Sequence, residues 1–309
     1  MRSPLWSVML PVYEPTSYIK EALRSVLDQD PGPAHMQIAV VDDSSPCGGV
    51  EELVRAFAGN RISYIRQPCN LGLARNWNDC ITRAHGELIH LLHHDDLVYP
   101  GFYDTIGRGF VADDGIGMAF SRHRIIDADS HEIGLSGVER PTSGAIDGWL
   151  ERIAAGQRLQ CPAAVVRRDV YDAIGGFRQD LCYVLDWEMW VRIAARYRVW
   201  FEPRVLAAYR MHSGSETARL RKANLIDDDQ RRALRIIRRE LPRPIAYRAL
   251  KTARRELAHQ LISEAVNLSS SRQPRAAISC IIRALRFSFH LRIIHRILSL
   301  AKRTMFGHK

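Results

Sequence analysis

Three pairs of polar residues in the first hundred positions could bind a charged ligand. The pairs are Tyr13-Glu14, Asp42-Asp43 and Asp95-Asp96, and each follows a short run of apolar residues. A carboxylate can accept N–H groups from the edge of a purine or a pyrimidine. Paired carboxylates also supply the oxygen ligands that Mg²⁺ or Mn²⁺ prefers. The pairs therefore indicate a site that combines hydrogen-bond acceptors with a divalent cation.

The secondary-structure elements that precede these pairs determine whether the pairs lie close together in the fold. The apolar runs 6–12, 37–41 and 88–92 are typical of buried strands, and apolar residues at helical spacing lie between them. Strands that alternate with helices imply a parallel sheet, in which a ligand lies beyond the carboxyl ends of the strands. We therefore expect an α/β fold with a mostly parallel central sheet flanked by helices, and we expect the pairs to lie at one edge of it.

Two of these clusters also fit a second role that the sequence leaves open. Asp42-Asp43 is followed by two serines, and all four are residue types that cap helices. Three histidines near the second aspartate pair, His90, His93 and His94, suggest a zinc cluster. Adjacent histidines on an extended segment point to opposite faces, and no fourth ligand is evident in the sequence, which disfavours zinc.

The charge of the chain is unevenly distributed. Its 309 residues carry a net charge of +10, but residues 231–309 alone hold 19 Lys and Arg against 3 Asp and Glu, a net of +16. The other 25 basic and 31 acidic residues leave the first part with a net charge of −6. We expect a domain at residues 1–215 and a small basic all-α region at residues 216–309. Such a region is either a solvated helical face or attracts a polyanion, namely anionic lipid, nucleic acid or acidic glycan.

The end of the basic region is amphipathic. Between residues 281 and 306, apolar side chains at helical spacing interleave with arginines and lysines. A helix over residues 280–305 can lie on an anionic membrane surface, or it can pack its apolar face on the first domain. The tail lacks the aromatic interleaving of RNA-binding folds, so we expect no nucleic acid partner.

Composition and termini bear on location. Because no stretch approaches 18 uninterrupted apolar residues, we expect no bilayer-spanning helix. The apolar run near the N-terminus is cut by Pro11 and lacks a small-residue cleavage site, so we expect no signal peptide. The 6 cysteines form no CxxC pair, which fits a reduced cytosolic protein. The expected location is the cytoplasm, with peripheral attachment to the inner face of the membrane as an alternative.

A series of sequence blocks resembles the family 2 glycosyltransferases with the GT-A fold. The resemblance covers residues 5 to about 215, and the order and spacing of the blocks make it specific for the family and not for the sugar. It implies an inverting enzyme that moves a sugar from a nucleotide-diphosphate sugar, UDP-linked, to a hydroxyl of a saccharide or lipid-linked saccharide in cell-surface polysaccharide or glycoconjugate synthesis. The blocks are PVYEPTSYIKEALRSVLDQ (11–29), VVDDSS (40–45), NLGLARNWN (70–78), GELIHLLHHDD (86–96), GGF (175–177), LDWEMWVRI (185–193) and YRMH (209–212).

The resemblance also implies roles for individual residues. Asp186 is the expected catalytic base, because a direct displacement needs one carboxylate to take the acceptor proton. Mg²⁺ or Mn²⁺ is the expected cofactor, held by Asp95, Asp96 and His212, and Gly176 and Trp187 are expected on the acceptor side. The residues expected to bind the nucleotide sugar are Pro11, Tyr13, Glu14, Asp42, Asp43, Arg75, Asn78 and His94.

The chain departs from the family pattern at two positions. His93 stands where the family usually has the first carboxylate of Asp-x-Asp-Asp, and Leu185 replaces the glutamate of Glu-Asp-Trp. The expected base is kept, with Glu188 as a fallback. Asp186 also suits a helix cap, and His212 also suits a structural position. A non-catalytic GT-A-like module that binds a nucleotide sugar is therefore the alternative function.

Overall fold

The computed structural model describes residues 5–14, 17–271 and 273–288, and these residues form two compact units. The first unit contains the chain up to Leu150 together with Gln157–Ile226. The second contains Glu151–Gly156 and the described residues from Asp227 onward. The division at residue 215 that the sequence suggests stays a prediction about domains.

The first unit is built on a mixed sheet. Its spatial order is β3-β2-β1-β4-β9-β6-β10-β5, with β7 paired to β6 and β8 paired to β10. The strands are β1 (Trp6–Val12), β2 (Met36–Asp42), β3 (Ser63–Arg66), β4 (Leu88–Leu91), β5 (Leu97–Val98), β6 (Ile116–Ile126), β7 (Glu132–Leu135), β8 (Gly144–Ala145), β9 (Ala164–Arg167) and β10 (Arg198–Arg210).

Helices connect the strands of the first unit, and the longest helices belong to the second unit. The helices are α1 (Ile19–Leu27), α2 (Val50–Ala58), α3 (Leu73–Arg83), α4 (Phe102–Ala112), α5 (Trp149–Ala154), α6 (Arg168–Ile174), α7 (Leu185–Ala194), α8 (Glu216–Lys222), α9 (Ile226–Glu240), α10 (Arg243–Ser270) and α11 (Pro274–Phe287). The expected α/β fold with a helical C-terminal region is confirmed.

The first half of the sheet is parallel, as the continuous apolar runs predict. Strand β1 is buried at every position and lies between β2 and β4, with Val12 beside Asp42 and Met9 beside Leu91. Burial on both faces favours such unbroken apolar strands. The carboxyl ends of β1, β2 and β4 therefore lie at one edge of the sheet, where the predicted polar pairs begin.

The second half of the sheet departs from the parallel pattern. Strand β9 runs antiparallel to both β4 and β6, whereas β10 runs parallel to β6. The short strand β5 follows Asp96 directly and pairs antiparallel with β10, so that Leu97 lies beside Ala208. This pairing brings the end of β10 back to the edge that carries the aspartates.

The second unit is helical, and prolines mark its breaks. Helix α9 ends before Pro242, and α11 begins at Pro274, as expected for a residue that cannot continue a helix. Arg283 donates to both oxygens of Asp227 at 2.5 and 2.8 Å. Among the described residues, no helix is long and apolar enough to cross a membrane. Of the predicted amphipathic segment 280–305, the part from Phe289 onward lies outside the described residues.

One glycine of the first unit tests how tightly β1 is packed. A Cβ on Gly86 would lie 2.4 Å from the carbonyl carbon of Trp6, so Gly86→Ala forces the backbone of β1 to move. Because overpacking costs about 1–3 kcal/mol, we expect a loss of that size in the free energy of unfolding, measured by urea titration. Gly48→Ala is the control, since nothing lies within 4 Å of its Cβ position. Equal stability of the two variants would contradict this packing.

Candidate active site

Strand β2 ends at Asp42 and Asp43 follows it, and the structure gives the two carboxylates different surroundings. One oxygen of Asp42 accepts the backbone N–H and the hydroxyl of Ser45 at 2.8 and 2.5 Å. Its other oxygen accepts the Tyr64 hydroxyl at 2.6 Å and the Arg66 guanidinium at 2.7 Å. Burial alone would raise the pKa of Asp42, but these hydrogen bonds lower it. Asp42 therefore holds the loop after β2, and its acceptor positions are occupied by protein groups.

Asp43 keeps acceptor capacity that Asp42 lacks. Its two oxygens accept one backbone N–H each, from Leu71 at 2.7 Å and from Gly72 at 2.9 Å. These bonds fix the loop that leads into α3, but they do not cap a helix, since the N-cap positions of α2 and α3 are Gly49 and Gly72 and neither helix has a side-chain cap. Burial raises the pKa of Asp43. Since a carboxylate can accept about four hydrogen bonds, Asp43 is the one of the pair that can still accept from a ligand.

Two neighbouring loops at this edge hold strained backbone. Glu14, which follows exposed Tyr13, has a φ of 50°, and Ser44 has a φ of 59°. The two loops are joined, because the Glu14 N–H donates to the Ser45 hydroxyl at 3.2 Å. Left-handed conformations at non-glycine residues are costly and cluster at functional sites.

The segment after β4 brings together side chains of the types that bind metal ions, and we call them the metal-ligand group. Single donor atoms of His93, Asp95 and Asp96 all lie within 4.8 Å of one another. The Oδ2 atom of Asp95 lies 2.9 Å from Nε2 of His212, which joins the third predicted metal ligand to the group. Asp95 is 15% exposed and His212 7%, whereas the Asp96 side chain is fully buried. The segment therefore has an accessible face at Asp95 and a buried one at Asp96.

The donor set fits a divalent cation. Asp96 Oδ2 and His93 Nε2 are buried and make no hydrogen bond among the described residues, although His93 Nδ1 lies 3.3 Å from Asp96 Oδ2. A buried carboxylate oxygen without a partner is costly, and a cation would relieve that cost. Burial raises the pKa of Asp96 to about 6. Burial also acts against the charged form of Asp95, yet the hydrogen bond with His212 and the neighbouring histidines lower its pKa to about 2.

The histidines do not form the zinc cluster that their spacing suggests. His90 lies inside the sheet, 3.2 Å from the Tyr103 hydroxyl and 3.0 Å from the Pro162 carbonyl. Its burial lowers its pKa to about 4. Burial also lowers the pKa of His94, whose ring is hydrogen-bonded to the backbone of Pro11. Of these three histidines, only His93 joins the carboxylates.

Arg210 is a residue whose role the sequence did not reveal. It is fully buried, and its Nε donates to the Asp95 carbonyl at 2.9 Å while its own N–H donates to Asp96 Oδ1 at 2.8 Å. Its Nη2 reaches Glu21 at 2.7 Å, and the guanidinium lies 4.2 Å from the ring centroid of Tyr18. The only available signal was its place beside His212 in the YRMH block. Arg210 fixes the backbone that presents both aspartates.

Asp186 lies in the first turn of α7, and Val184 holds the capping position. Its oxygens accept the Trp187 N–H at 2.7 Å and the Gln157 amide at 2.8 Å. Burial raises the pKa of Asp186 to about 6, and the nearby charge of His93 acts in the opposite direction. Asp186 is thus a desolvated carboxylate within electrostatic reach of the metal-ligand group.

The fallback base Glu188 has a different task. Its side chain is fully buried, and Arg192 donates to its two oxygens at 3.0 and 2.9 Å. The same guanidinium donates to the carbonyls of Ile174 at 2.8 Å and Gly176 at 2.9 Å. Glu188 and Arg192 therefore hold the GGF turn from one side.

Asn78 holds the same turn from the other side. Its amide nitrogen donates to the Phe177 carbonyl at 2.9 Å, and its oxygen accepts the Phe177 N–H at 2.7 Å. A Cβ on Gly176 would lie 2.2 Å from that oxygen, so the glycine is required. The structure thus uses the polar groups of Asn78 for the turn. Arg75 is exposed and donates to Gln179 at 3.1 Å.

Two tryptophans of the matched blocks are buried. Trp77 stacks on the ring of His93 with 4.7 Å between centroids, and it meets Phe177 edge-on at 5.0 Å. It therefore links the GGF turn to the metal-ligand group, as a core residue. Trp187, expected on the acceptor side, is 2% exposed.

The sequence profile of glycosyl transferase family 2 matches residues 7–175, more than half of the chain. The chain belongs to glycosyl transferase family 2. Among its relatives, an uncharacterized protein of Mycobacterium tuberculosis is 31% identical over 249 residues, which cover 72% of this chain and 73% of that protein. An uncharacterized glycosyltransferase of Rickettsia typhi is 28% identical over 221 residues, 70% of this chain and 66% of that protein. The minor teichoic acid biosynthesis protein GgaB of Bacillus subtilis is 29% identical over 104 residues, 33% of this chain and 11% of that protein.

Solved structures of glycosyltransferases share the fold. S. aureus TarS 1-349 in complex with UDP-GlcNAc matches with a TM-score of 0.63 at 17% identity, covering 90% of this chain and 81% of that chain. The mannosyltransferase PcManGT from Pyrobaculum calidifontis in complex with GDP-Man and Mn²⁺ matches with a TM-score of 0.56 at 18% identity, covering 99% and 88%. The GT-A fold expected for this family 2 member is confirmed.

The contacts of Arg210 generate a prediction for this glycosyltransferase. Arg210→Lys keeps the charge but loses the fork that reaches the Asp95 carbonyl and Glu21 together. Because groups that orient metal ligands are worth about 10–100-fold in metal affinity, we expect Mn²⁺ to bind more weakly by that factor in the presence of UDP. Free Mn²⁺ can be measured by electron paramagnetic resonance. Arg192→Lys is the matched control, since that buried arginine holds the GGF turn. Unchanged Mn²⁺ affinity in a folded Arg210→Lys protein would refute the role.

Proposed function

We propose that this family 2 glycosyltransferase is an inverting enzyme that moves a sugar from a UDP-linked donor to a hydroxyl of a saccharide or lipid-linked saccharide. The observation that carries the proposal is the desolvated carboxylate of Asp186 within electrostatic reach of His93, which belongs to the group of His93, Asp95 and Asp96. The UDP-GlcNAc in TarS and the GDP-Man and Mn²⁺ in the mannosyltransferase support a nucleotide-sugar donor and a divalent metal. The name of GgaB supports a place in cell-surface polysaccharide synthesis.

The donor side is proposed to combine the strand ends with the metal-ligand group. Asp43 keeps free acceptor capacity and is the residue that we assign to the base of the nucleotide. Mg²⁺ or Mn²⁺ would neutralise the diphosphate as the glycosidic bond breaks. Asp95 is assigned as the direct ligand, with His212 beside it, because both side chains retain solvent access at this edge. Asp96 is assigned a second ligand position through its buried Oδ2, while its Oδ1 supports the loop by accepting the Arg210 N–H.

The acceptor side is proposed to depend on Asp186. One carboxylate suffices for a direct displacement, because it takes the proton of the acceptor hydroxyl as the new bond forms. A paired second carboxylate is a requirement of hydrolases, and the other acid on this helix, Glu188, is engaged by Arg192. The GGF turn, fixed by Asn78 and Arg192, is assigned to the acceptor side of Asp186.

Asp186 generates a pH prediction. Only its deprotonated form can act as a base, and its pKa is raised to about 6 by burial. Turnover should therefore rise as pH increases through about 6 and then level off. Asp186→Asn should lower turnover by about 10²–10⁴ while donor binding persists. Near-normal turnover in this variant would exclude Asp186 as the base.

Gln157→Leu provides the control for the pH profile. It removes a hydrogen bond that favours the charged form of Asp186, so the pKa of Asp186 should rise further. The rising limb of the profile should move to higher pH with the plateau retained. An unmoved limb would show that another group controls the profile.

The metal assignment generates a prediction about the two aspartates. Asp95→Asn should weaken Mn²⁺-dependent binding of UDP more than Asp96→Asn does, because Asp95 is the accessible ligand. Isothermal titration calorimetry with UDP, with Mn²⁺ or with EDTA, measures the difference. The reverse order would make Asp96 the direct ligand. Full donor affinity in EDTA would show that no metal bridge exists.

The second candidate function is a nucleotide-sugar-binding module without turnover. His93 and Leu185, which stand where the family has acids, are the observations that favour it. A panel of nucleotide sugars incubated with Mn²⁺ and without acceptor separates the two functions. Slow metal-dependent hydrolysis of one donor supports the enzyme, whereas tight binding without hydrolysis or transfer supports the module.

The proposed location is the cytoplasm, with peripheral attachment to the inner face of the membrane. The support for attachment is the net charge of +16 in residues 231–309 and the amphipathic pattern of residues 280–305. Of that segment, the structure describes residues up to Ser288.

A further inference from the structure

A basic groove lies within the second unit. It is formed by the end of α9, the start of α10 and the end of α11, and its volume is about 1220 Å³. Within the described part of the chain, no acidic residue lines it. We call it the basic groove; its cationic residues are Arg235, Arg238, Arg239, Arg243, Lys251, Arg254 and Arg255.

Several charges of the basic groove have no acidic partner. Among the described residues, Arg238, Arg239, Arg243 and Arg254 form no ion pair and are exposed. Other arginines of the same unit have acidic partners, as Arg283 has in Asp227. Like charges held together repel one another, so an anion of the right size would be bound with a favourable electrostatic free energy.

The basic groove also has an apolar floor and an aromatic rim. Ala246, Leu250 and Phe287 lie at its base and are between 3% and 7% exposed. Tyr247 is 70% exposed at the rim, and the ammonium of Lys251 lies 5.8 Å from its ring centroid. Cations above an apolar floor suit an amphiphile, because its anionic group and its hydrocarbon have separate partners. A tyrosine with one apolar and one polar end is typical of membrane–water interfaces.

We propose that the basic groove binds the phosphate groups of anionic phospholipids at a bilayer surface. The proposal rests on the peripheral location proposed above and deepens it, because it assigns the lipid contact to the residues of the basic groove. The sequence after the groove reinforces the charge, since residues 289–309 hold 5 Lys and Arg and no Asp or Glu, so these residues supply no acidic side chain to neutralise it. A groove that holds lipid headgroups would keep the transferase beside lipid-linked acceptors.

The test is vesicle co-sedimentation with the full chain. Vesicles of phosphatidylcholine with 0 or about 30% phosphatidylglycerol are compared at physiological salt. The comparison distinguishes electrostatic binding to anionic lipid from apolar binding to any bilayer. Each basic residue near an anionic surface contributes about a fivefold increase in binding, so Arg239→Gln/Arg243→Gln/Arg254→Gln should lower the partition coefficient about 100-fold. The control Lys20→Gln/Arg55→Gln/Arg108→Gln removes the same charge from the first unit and should change binding much less.

Each outcome decides for or against the proposal. Equal vesicle binding by the groove variant and the wild type overturns it, and so does equal loss in the groove and control variants. Binding of RNA at the groove without binding of vesicles also overturns it. Circular dichroism melts and donor hydrolysis should match the wild type in both variants. Because the readout is vesicle binding and not turnover, failure here is distinguishable from failure of the proposed glycosyltransferase activity.

Discussion

The buried guanidinium of Arg210 holds together the part of the molecule on which the rest of the site depends. It donates to the Asp95 carbonyl, to Ser130 and to Glu21, and the backbone N–H of Arg210 donates to one oxygen of Asp96. Because β5 pairs with β10 immediately after Asp96, the last residues of β10 meet the aspartates, and the metal-ligand group has one fixed geometry. A buried charge of this kind is tolerated only because its donors are satisfied.

The two acids of α7 have different roles: one supports the structure, and the other is the proposed base. Glu188 faces inward, and its pairing with Arg192 neutralises it and fixes the GGF turn. Asp186, two residues earlier, accepts from an amide and a backbone N–H, and burial raises its pKa although these two hydrogen bonds act to lower it. A carboxylate held by neutral donors remains available as a base near neutral pH, whereas one locked in an ion pair does not.

The two compact units carry unbalanced charge of opposite sign. The first unit concentrates buried carboxylates at one sheet edge, where a divalent cation and a diphosphate can balance each other. The second unit carries arginines around an apolar floor, and four of them are unpaired within the described residues. Charge of either sign that is left unbalanced is costly unless a ligand binds it. Unbalanced charge is therefore the common basis of the proposed donor site in the first unit and of the proposed lipid site in the basic groove.

The sequence by itself determined the strands β1, β2 and β4, because unbroken apolar runs that are followed by polar residues have few other stable arrangements, and it determined the family through its ordered blocks. It also pointed to Asp186 and to Asp95, since carboxylates at element ends carry chemistry. Only the tertiary structure decided three roles. Ser45, Tyr64 and Arg66 occupy the acceptor positions of Asp42, Asn78 holds a turn, and Arg210 supports the aspartates. Apart from Ser45, these partners lie about 20 to 115 residues away in the sequence, and no local pattern records which distant group contacts a given side chain.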